Sequence, residues 1–442
     1  MALPEIELLK SSSHNHMSRT RKPGRALRVL ALVPPEQSGR QATKYSFLSE
    51  ELDQLASTGI EIHAVSPHLS RTRGVESLTL HPVPRVRDAP HLRRLVQLWF
   101  RKAGRALVRG KDLRESLWIT QLQAVIGDCL QREAIDLIYS PFAWPKGTGG
   151  IPAASLANVP VVLSLRGADV LVEPSIGYGQ ALQPDYQLRI SQALRSADHV
   201  IGVSQSLADR AVELGASASR VSVVLKGVNL ERFVPADTRR ARQSLGVPDR
   251  PTVLFVGNLI RRKGVDLLLQ AVSLARSSLP DLQLVICGTG PEHGNLQRLI
   301  SALDLESHIR FEGWVERSSI AQYFQACDVF VLPSLTEGSG NVLVEAAACA
   351  KPSIGTNVAG IPDYIDDGMT GFLFEKQNAS DLAGKILKIL TDGDLAARMG
   401  NEARRVAESN HRYDQMIASL VDIFDQVVAG KTGSTTCAPQ SN

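Results

Sequence analysis

Cysteine is scarce and scattered. The five in the chain, Cys129, Cys287, Cys327, Cys349 and Cys437, show no Cys-x-x-Cys spacing, which argues against a disulfide framework and a thiolate zinc site and for a reducing compartment. No apolar run approaches the roughly 20 residues that a membrane-spanning helix needs. A signal-peptide pattern is also missing: Met1 to Lys10 is short and acidic, and Ser11 to Arg25 is polar and then basic. Charge is nearly balanced, at +4. The expectation is a cytoplasmic protein with residues 1–25 and 431–442 disordered on composition. What is present is length and apolar content: 442 residues, 43% of them hydrophobic, support two or three domains with globular cores.

Strand-like apolar runs alternate with helical patterns along both halves. Arg28 to Val33 reads as a first strand, stopped by Pro34-Pro35, and Ser38-Gly39-Arg40 turns into an amphipathic helix through Phe47, Leu48, Leu52 and Leu55. Further strands are Ile60 to Val65, Ile135 to Tyr139, Pro160 to Leu165 and Asp198 to Ser204, the last leading to a helix with a Ser206–Asp209 capping box. Loops at strand C-termini face the ligand in open α/β sheets. That places Phe142 and Trp144, which suit either stacking on an acceptor or plain packing, and the turn Arg166-Gly167-Ala168-Asp169. After Lys226-Gly227-Val228-Asn229 the pattern restarts with Pro251 to Val256, the basic loop Gly257 to Gly264, Leu282 to Cys287, and Gly288-Thr289-Gly290. The fold class expected is α/β, two doubly wound, Rossmann-like parallel-sheet domains over 26–230 and 231–410.

The most informative stretch runs from Pro333 to Gly371. A buried strand, Asp328 to Leu332, is stopped by Pro333, and a helical pattern begins just after Gly340. The Glu337-Gly338-Ser339-Gly340-Asn341-Val342 bend therefore sits at a helix N-terminus, where unpaired amides and the helix dipole suit a phosphate. Glu337 and Glu345 bracket it, and carboxylates accept hydrogen bonds from vicinal hydroxyls. Phosphate on amides and hydroxyls on acids describe a nucleotide sugar; the plainer reading is an ordinary strand, glycine-rich turn and helix.

The stretch Pro333-Ser334-Leu335-Thr336-Glu337-Gly338 through Glu345-Ala346, with Pro352, Gly360-Ile361-Pro362 and Asp367-Gly368-Met369-Thr370-Gly371, resembles the signature of retaining glycosyltransferases of family four. That resemblance implies the GT-B architecture, two facing Rossmann-like domains with a C-terminal helix, here 411–430, crossing back to the first. It implies that Glu337 contacts the donor sugar and Glu345 the ribose, that Lys263 and an adjacent base, Arg262 or Arg261, neutralise the diphosphate, and that no metal is used. Asn258 stands where the family has Arg, and Ser339 where it has an aromatic residue. Gly39, Gly257, Gly288, Gly290 and Val315 fall on donor-side loops, Val315 near the base. Arg166-Gly167-x-Asp169 resembles a branch associated with cell-surface and exopolysaccharide assembly; Arg166 replaces a His and suits binding rather than proton transfer, or else pairs with Asp169 to fix the loop.

Between Arg85 and Arg114, ten basic residues interleave with Leu92, Leu95, Val96, Leu98, Trp99, Phe100, Leu107 and Val108. This suits a helix on an anionic membrane and equally a solvated basic helix packed on its own domain. No reader motif for nucleic acid accompanies the charge. The function expected is a retaining transferase that moves a sugar from a UDP- or GDP-sugar, without a cofactor, to a glycan or lipid-linked acceptor, peripheral to the membrane. A nucleotide-sugar epimerase or hydrolase and a catalytically silent assembly partner are the alternatives.

Overall fold

The computed structural model describes residues 25–33, 46–67, 78–83 and 110–434. Gly39, Arg40, nearly all of the basic stretch 85–114, and the terminal segments 1–24 and 435–442 lie outside the described residues.

Short apolar runs form the strands. β1 (Arg28–Leu32), β2 (Glu61–Pro67), β3 (Leu78–Val83), β4 (Leu137–Ser140), β5 (Val161–Leu165), β6 (His199–Gly202) and β7 (Val221–Val223) make a seven-stranded sheet of order β3-β2-β1-β4-β5-β6-β7. β8 (Thr252–Val256), β9 (Gln283–Cys287), β10 (Ile309–Gly313), β11 (Val329–Leu332), β12 (Ser353–Thr356) and β13 (Gly371–Phe374) make a six-stranded sheet of order β10-β9-β8-β11-β12-β13. The described strand ladders are parallel, as in Ala31 opposite Ala64 and Tyr139 opposite Val162. In each sheet the winding reverses beside the first strand, between β1 and β4 and between β8 and β11, and loops at such switch points hold ligands. The sequence reading passed over β3, whose six residues include His81 and Pro82 and carry little strand signal.

By contacts the chain divides into two compact units, one comprising the described residues of Met1–Ser164, Gln192–His199 and Val421–Asn442, the other Leu165–Ser191 and Val200–Leu420. The sequence expectation put the division at residue 230; the strands of the first sheet end at Val223 and those of the second begin at Thr252, while the contacts group 165–191 and 200–230 with the second unit.

In the second unit both sheet faces are covered. Val253, Phe255, Ile286 and Val331 pack with Leu268, Leu269 and Leu382 on one face, and Leu254, Val285, Phe330 and Leu332 with Phe324, Leu343 and Val344 on the other. Burial on both faces is why these strands are apolar throughout rather than alternating. In the first unit, the buried Tyr139 donates a hydrogen bond to Glu51 Oε1 at 2.7 Å, and its ring lies 5.2 Å from that of Phe424. Phe424 is fully buried, a contribution of about 1.5–3 kcal/mol. It belongs to the helix Tyr413–Ser434, which continues past residue 430, where composition suggested a disordered tail. Lys431 holds that turn through an ion pair with Asp198 at 2.8 Å.

One local expectation is corrected. The cap of the helix Gln205–Glu213 is Ser204, whose Oγ accepts from Leu207 N–H at 3.3 Å, because the chain is still extended at Ser204; Ser206 lies inside the helix. Of the two readings open for Trp144, plain packing holds: it is packed inside, 3% exposed. Asp392 caps the helix Gly393–Asn410 through Leu395 N–H. Among the described residues, no helix is long and apolar enough to cross a membrane.

Candidate active site

β11 ends at Leu332, and the chain takes the bend 333–340 before the helix Asn341–Ala348. Gly340 is its N-cap; no side chain caps it and its first turn carries no acid. The helix end is thus left open to an anion. Pro333 and Ser334 are buried, and Glu337 is only 9% exposed.

A buried carboxylate needs partners, and Glu337 has them. Lys263 Nζ donates to its Oε2 at 2.5 Å, Arg262 Nη1 lies 3.1 Å from the same oxygen, and Ser334 Oγ donates to it at 3.3 Å. Both bases come from the turn Arg261–Lys263 after β8, bound backbone to backbone to the Glu337 bend by Leu335 N–H to Arg262 O at 2.8 Å. Arg262 Nη1 also donates to Thr336 O at 2.8 Å, and its guanidinium stacks 5.0 Å from the centre of the Tyr178 ring. Arg261 is exposed, so Arg262 is the second base at the cluster. Burial alone would raise the Glu337 carboxyl; the fields and hydrogen bonds of Lys263 and Arg262 outweigh it and hold the group down at about 2. One acid against two bases leaves the cluster with a surplus of positive charge.

The Arg166 loop comes to the same place. Gly338 lies where a β-carbon would stand 2.3 Å from Arg166 O and 3.0 Å from Gly167 Cα, so only glycine lets the two bends pass. Asp169 is buried and accepts from Gly167 N–H at 3.2 Å, fixing the turn. The Tyr178 hydroxyl is shifted upward, by burial first, against Arg262 and together with the negative charges of Glu337 and Asp169. Gly360 supports the bend from behind, donating to Glu337 O at 3.0 Å.

The structure therefore gathers Lys263, Arg262, Glu337, Gly338, Arg166 and Asp169. Gly257, Gly288 and Gly290 line the neighbouring strand ends: Gly257 N–H donates to Cys287 O at 3.0 Å and Gly288 N–H to Gly313 O at 2.7 Å, and a β-carbon on Gly290 would stand 2.3 Å from Leu259 O. Asn341 and Val342 open the helix, Glu345 lies half-buried further along it, and Ser339 Oγ bonds Asn341 Oδ1 at 3.2 Å. Asn258 is exposed and Val315 half-buried; among the described residues, no hydrogen bond or ion pair ties either to Glu337. Sequence reasoning missed Tyr178, Ser334 and the buried Lys146. Tyr178 carried no signal, being one aromatic in a loop far from residue 262, and neither did Lys146, between a proline and a glycine; Ser334 followed a strand end, which was a usable one.

Two family models match the chain: Glycosyltransferase Family 4 over residues 47–232 and Glycosyl transferases group 1 over 237–406. A D-inositol 3-phosphate glycosyltransferase of Streptomyces bingchenggensis is 32% identical over 308 residues, 67% of each chain. Among solved structures, a sucrose-phosphate synthase from Thermosynechococcus elongatus superposes with a TM-score of 0.75 at 20% identity, covering 91% of this chain and 100% of that one. Anabaena HepE in complex with UDP-glucose gives 0.70 at 20% identity, covering 90% and 100%. These structural likenesses speak to the fold, two Rossmann-like units of the GT-B kind.

Proposed function

Since the chain belongs to the family 4, group 1 glycosyltransferases, we propose that it moves a sugar from a nucleoside diphosphate sugar to a glycan or lipid-linked acceptor, with retention of anomeric configuration. The observation that carries this reading is the Lys263–Glu337–Arg262 cluster beside an uncapped helix start. As the nucleotide leaves, negative charge grows on the diphosphate while the sugar becomes oxocarbenium-like. Lys263, Arg262 and the amides at Gly340 and Asn341 meet that charge already oriented, an electrostatic contribution of about 3–4 kcal/mol per donor in comparable sites. Glu337, kept ionised by its two bases, accepts hydrogen bonds from sugar hydroxyls and holds the ring for attack on the face the leaving phosphate vacates. Glu345 grips the ribose in this reading, and Arg166 binds rather than transfers protons.

UDP-sugars are the first donors to try, because the Anabaena neighbour was solved with UDP-glucose. The relative named for D-inositol 3-phosphate makes a phosphorylated polyol the first acceptor beside the glycans, and the Arg166-Gly167-x-Asp169 turn supports an acceptor in surface-polysaccharide or glycolipid synthesis, at the inner face of a membrane.

The test is consumption of UDP-, GDP- and ADP-sugars by the purified protein with and without candidate acceptors, with the product anomer read by NMR. Lys263→Ala and Glu337→Gln should each lower transfer by about a hundredfold or more while circular dichroism is unchanged. Near-native rates in both would overturn the assignment, and rapid donor consumption with no acceptor would favour a hydrolase or epimerase.

A further inference from the structure

Between Gly167 and Gln183 the chain runs as a strap that carries Tyr178 to Arg262, and little apolar packing fixes its far end. Val170, Leu171 and Ala181 are buried, but Pro174, Ser175 and Gly177 at the tip are exposed. Regular structure there is limited to two short 3₁₀ turns, Pro174–Ile176 and Gln180–Leu182. What holds the tip is polar. Glu173 and Tyr178 exchange both backbone hydrogen bonds, Glu173 N–H to Tyr178 O at 2.8 Å and Tyr178 N–H to Glu173 O at 3.0 Å. Gln180 N–H closes the strap onto Ala168 O at 2.9 Å. Gly179 lets it fold back on itself, since a β-carbon there would stand 2.1 Å from Leu171 O. Tyr178 is thus tied to Glu173, and where Glu173 is held the ring follows.

Glu173 is held by a charge from a distant part of the same unit. It is 8% exposed; its Oε1 accepts from the Ser175 hydroxyl at 2.6 Å, and its Oε2 is ion-paired with Lys376. Burial alone would raise the carboxyl, but Lys376 and Ser175 outweigh it and keep the group below the usual glutamate range. Lys376 follows β13, the edge strand of the second sheet, in a turn that is itself anchored. Glu375 N–H donates to Asp381 Oδ2 at 2.9 Å, and Asn378 caps the helix Ala379–Leu390 through Asp381 N–H at 2.9 Å. Glu173 and Lys376 are 203 positions apart in sequence, so the pair serves no local turn. A largely buried ion pair adds little net stability over apolar side chains of the same volume, and its best-attested use is to select one arrangement among several.

The arrangement selected here leads to the active-site cluster. Contacts run from Lys376 to Glu173, through the paired backbone to Tyr178, from its ring to Arg262 at 5.0 Å, and from Arg262 to Glu337 at 3.1 Å. Every residue in that series belongs to the second unit. We propose that the Lys376–Glu173 pair is a positioning latch for the donor site: it sets the Tyr178 ring over Arg262 and so holds the guanidinium ready for the diphosphate. This rests on the glycosyl-transfer reading above and deepens it, adding Lys376 and Glu173 as residues that act on the donor only through Tyr178.

The experiment uses the full chain, with binding of UDP, GDP and ADP read by calorimetry and amide hydrogen exchange read by mass spectrometry on the nucleotide-free protein. Lys376→Met should weaken binding of the preferred nucleotide about fivefold, and Lys376→Arg, which keeps the charge, should stay near wild type. In a Tyr178→Leu background, Lys376→Met should weaken it by less than about twofold further, because residues that act through one another are not additive. Without nucleotide, Lys376→Met should speed exchange at the Glu173 and Tyr178 amides and leave the strands of the second sheet as in wild type; Lys376→Gln takes its place if the Met variant fails to fold. Unchanged nucleotide affinity in Lys376→Met, the full fivefold loss repeated in the Tyr178→Leu background, or unaltered exchange at the strap would overturn the proposal. If wild type binds none of the three nucleotides, the donor reading falls by itself and exchange at Tyr178 decides the latch: quickened by Lys376→Met it stands, unchanged it falls.

Discussion

Gly338 and Gly167 pass so closely that a β-carbon placed on Gly167 would stand 3.2 Å from Gly338 Cα. The loop after β5 and the bend before the helix Asn341–Ala348 are thereby held as a single piece, with Arg166 on one strand of it and Glu337 on the other. Gly338→Ala places a methyl group 2.3 Å from Arg166 O, and backbone cannot yield as a side chain can. The expected cost is about 1–3 kcal/mol, read as a lower urea midpoint, with sugar transfer falling further than stability because the Arg166 turn shifts.

Glu337 ties acid stability to the site. Its folded-state value of about 2 lies below the ordinary 4.5, so its contribution is fully present above pH 4.5 and is lost as pH falls towards 2. Urea midpoints measured from pH 6 down to 2.5 should decline more steeply for wild type than for Glu337→Gln. Parallel curves would show that the carboxylate is not held as described.

Tyr178 places Arg262 by stacking rather than by hydrogen bonding. A desolvated contact of this kind is worth about 1–2 kcal/mol, so Tyr178→Leu should raise the donor KM by about fivefold or more, whereas Tyr178→Phe, which keeps the ring, should stay near wild type. Initial-rate kinetics on the three proteins separate the ring from the hydroxyl.

Cys129, Cys327 and Cys349 are buried thiols pushed up to about 12, and Cys287 is raised further by the same burial. None of the four should react with a thiol reagent at pH 8 in the folded protein, and all should react in guanidinium. Rapid native-state labelling of any of them would contradict the packing of the strand or helix that carries it.

The two parallel sheets were readable from periodicity, because strands such as Val329–Leu332, covered on both faces, are apolar end to end. The Glu337 bend was readable as a helix start, since Pro333 and Gly340 punctuate the chain there. What periodicity does not encode is which distant segment comes alongside. The approach of Lys263 to Glu337 was expected only through family resemblance, and Tyr178 over Arg262 joins residues 84 positions apart in sequence. Trp144 was placed in the right loop with stacking and packing both open, because sequence does not tell a loop that packs inward from one that faces solvent. Lys146 was overlooked for the same reason: a lysine between proline and glycine looks like an ordinary exposed turn.

At the Glu337 cluster two bases face one acid, and that imbalance has a kinetic side. In the proposed transfer, the side chains that draw electrons onto the departing diphosphate would keep their hold when the sugar has gone, since the freed nucleotide carries more charge than the donor did. On the proposed chemistry, the spent nucleotide is the species this pocket binds most firmly, and the pace of turnover is set by how quickly Glu337 can reclaim Lys263 and Arg262 from it.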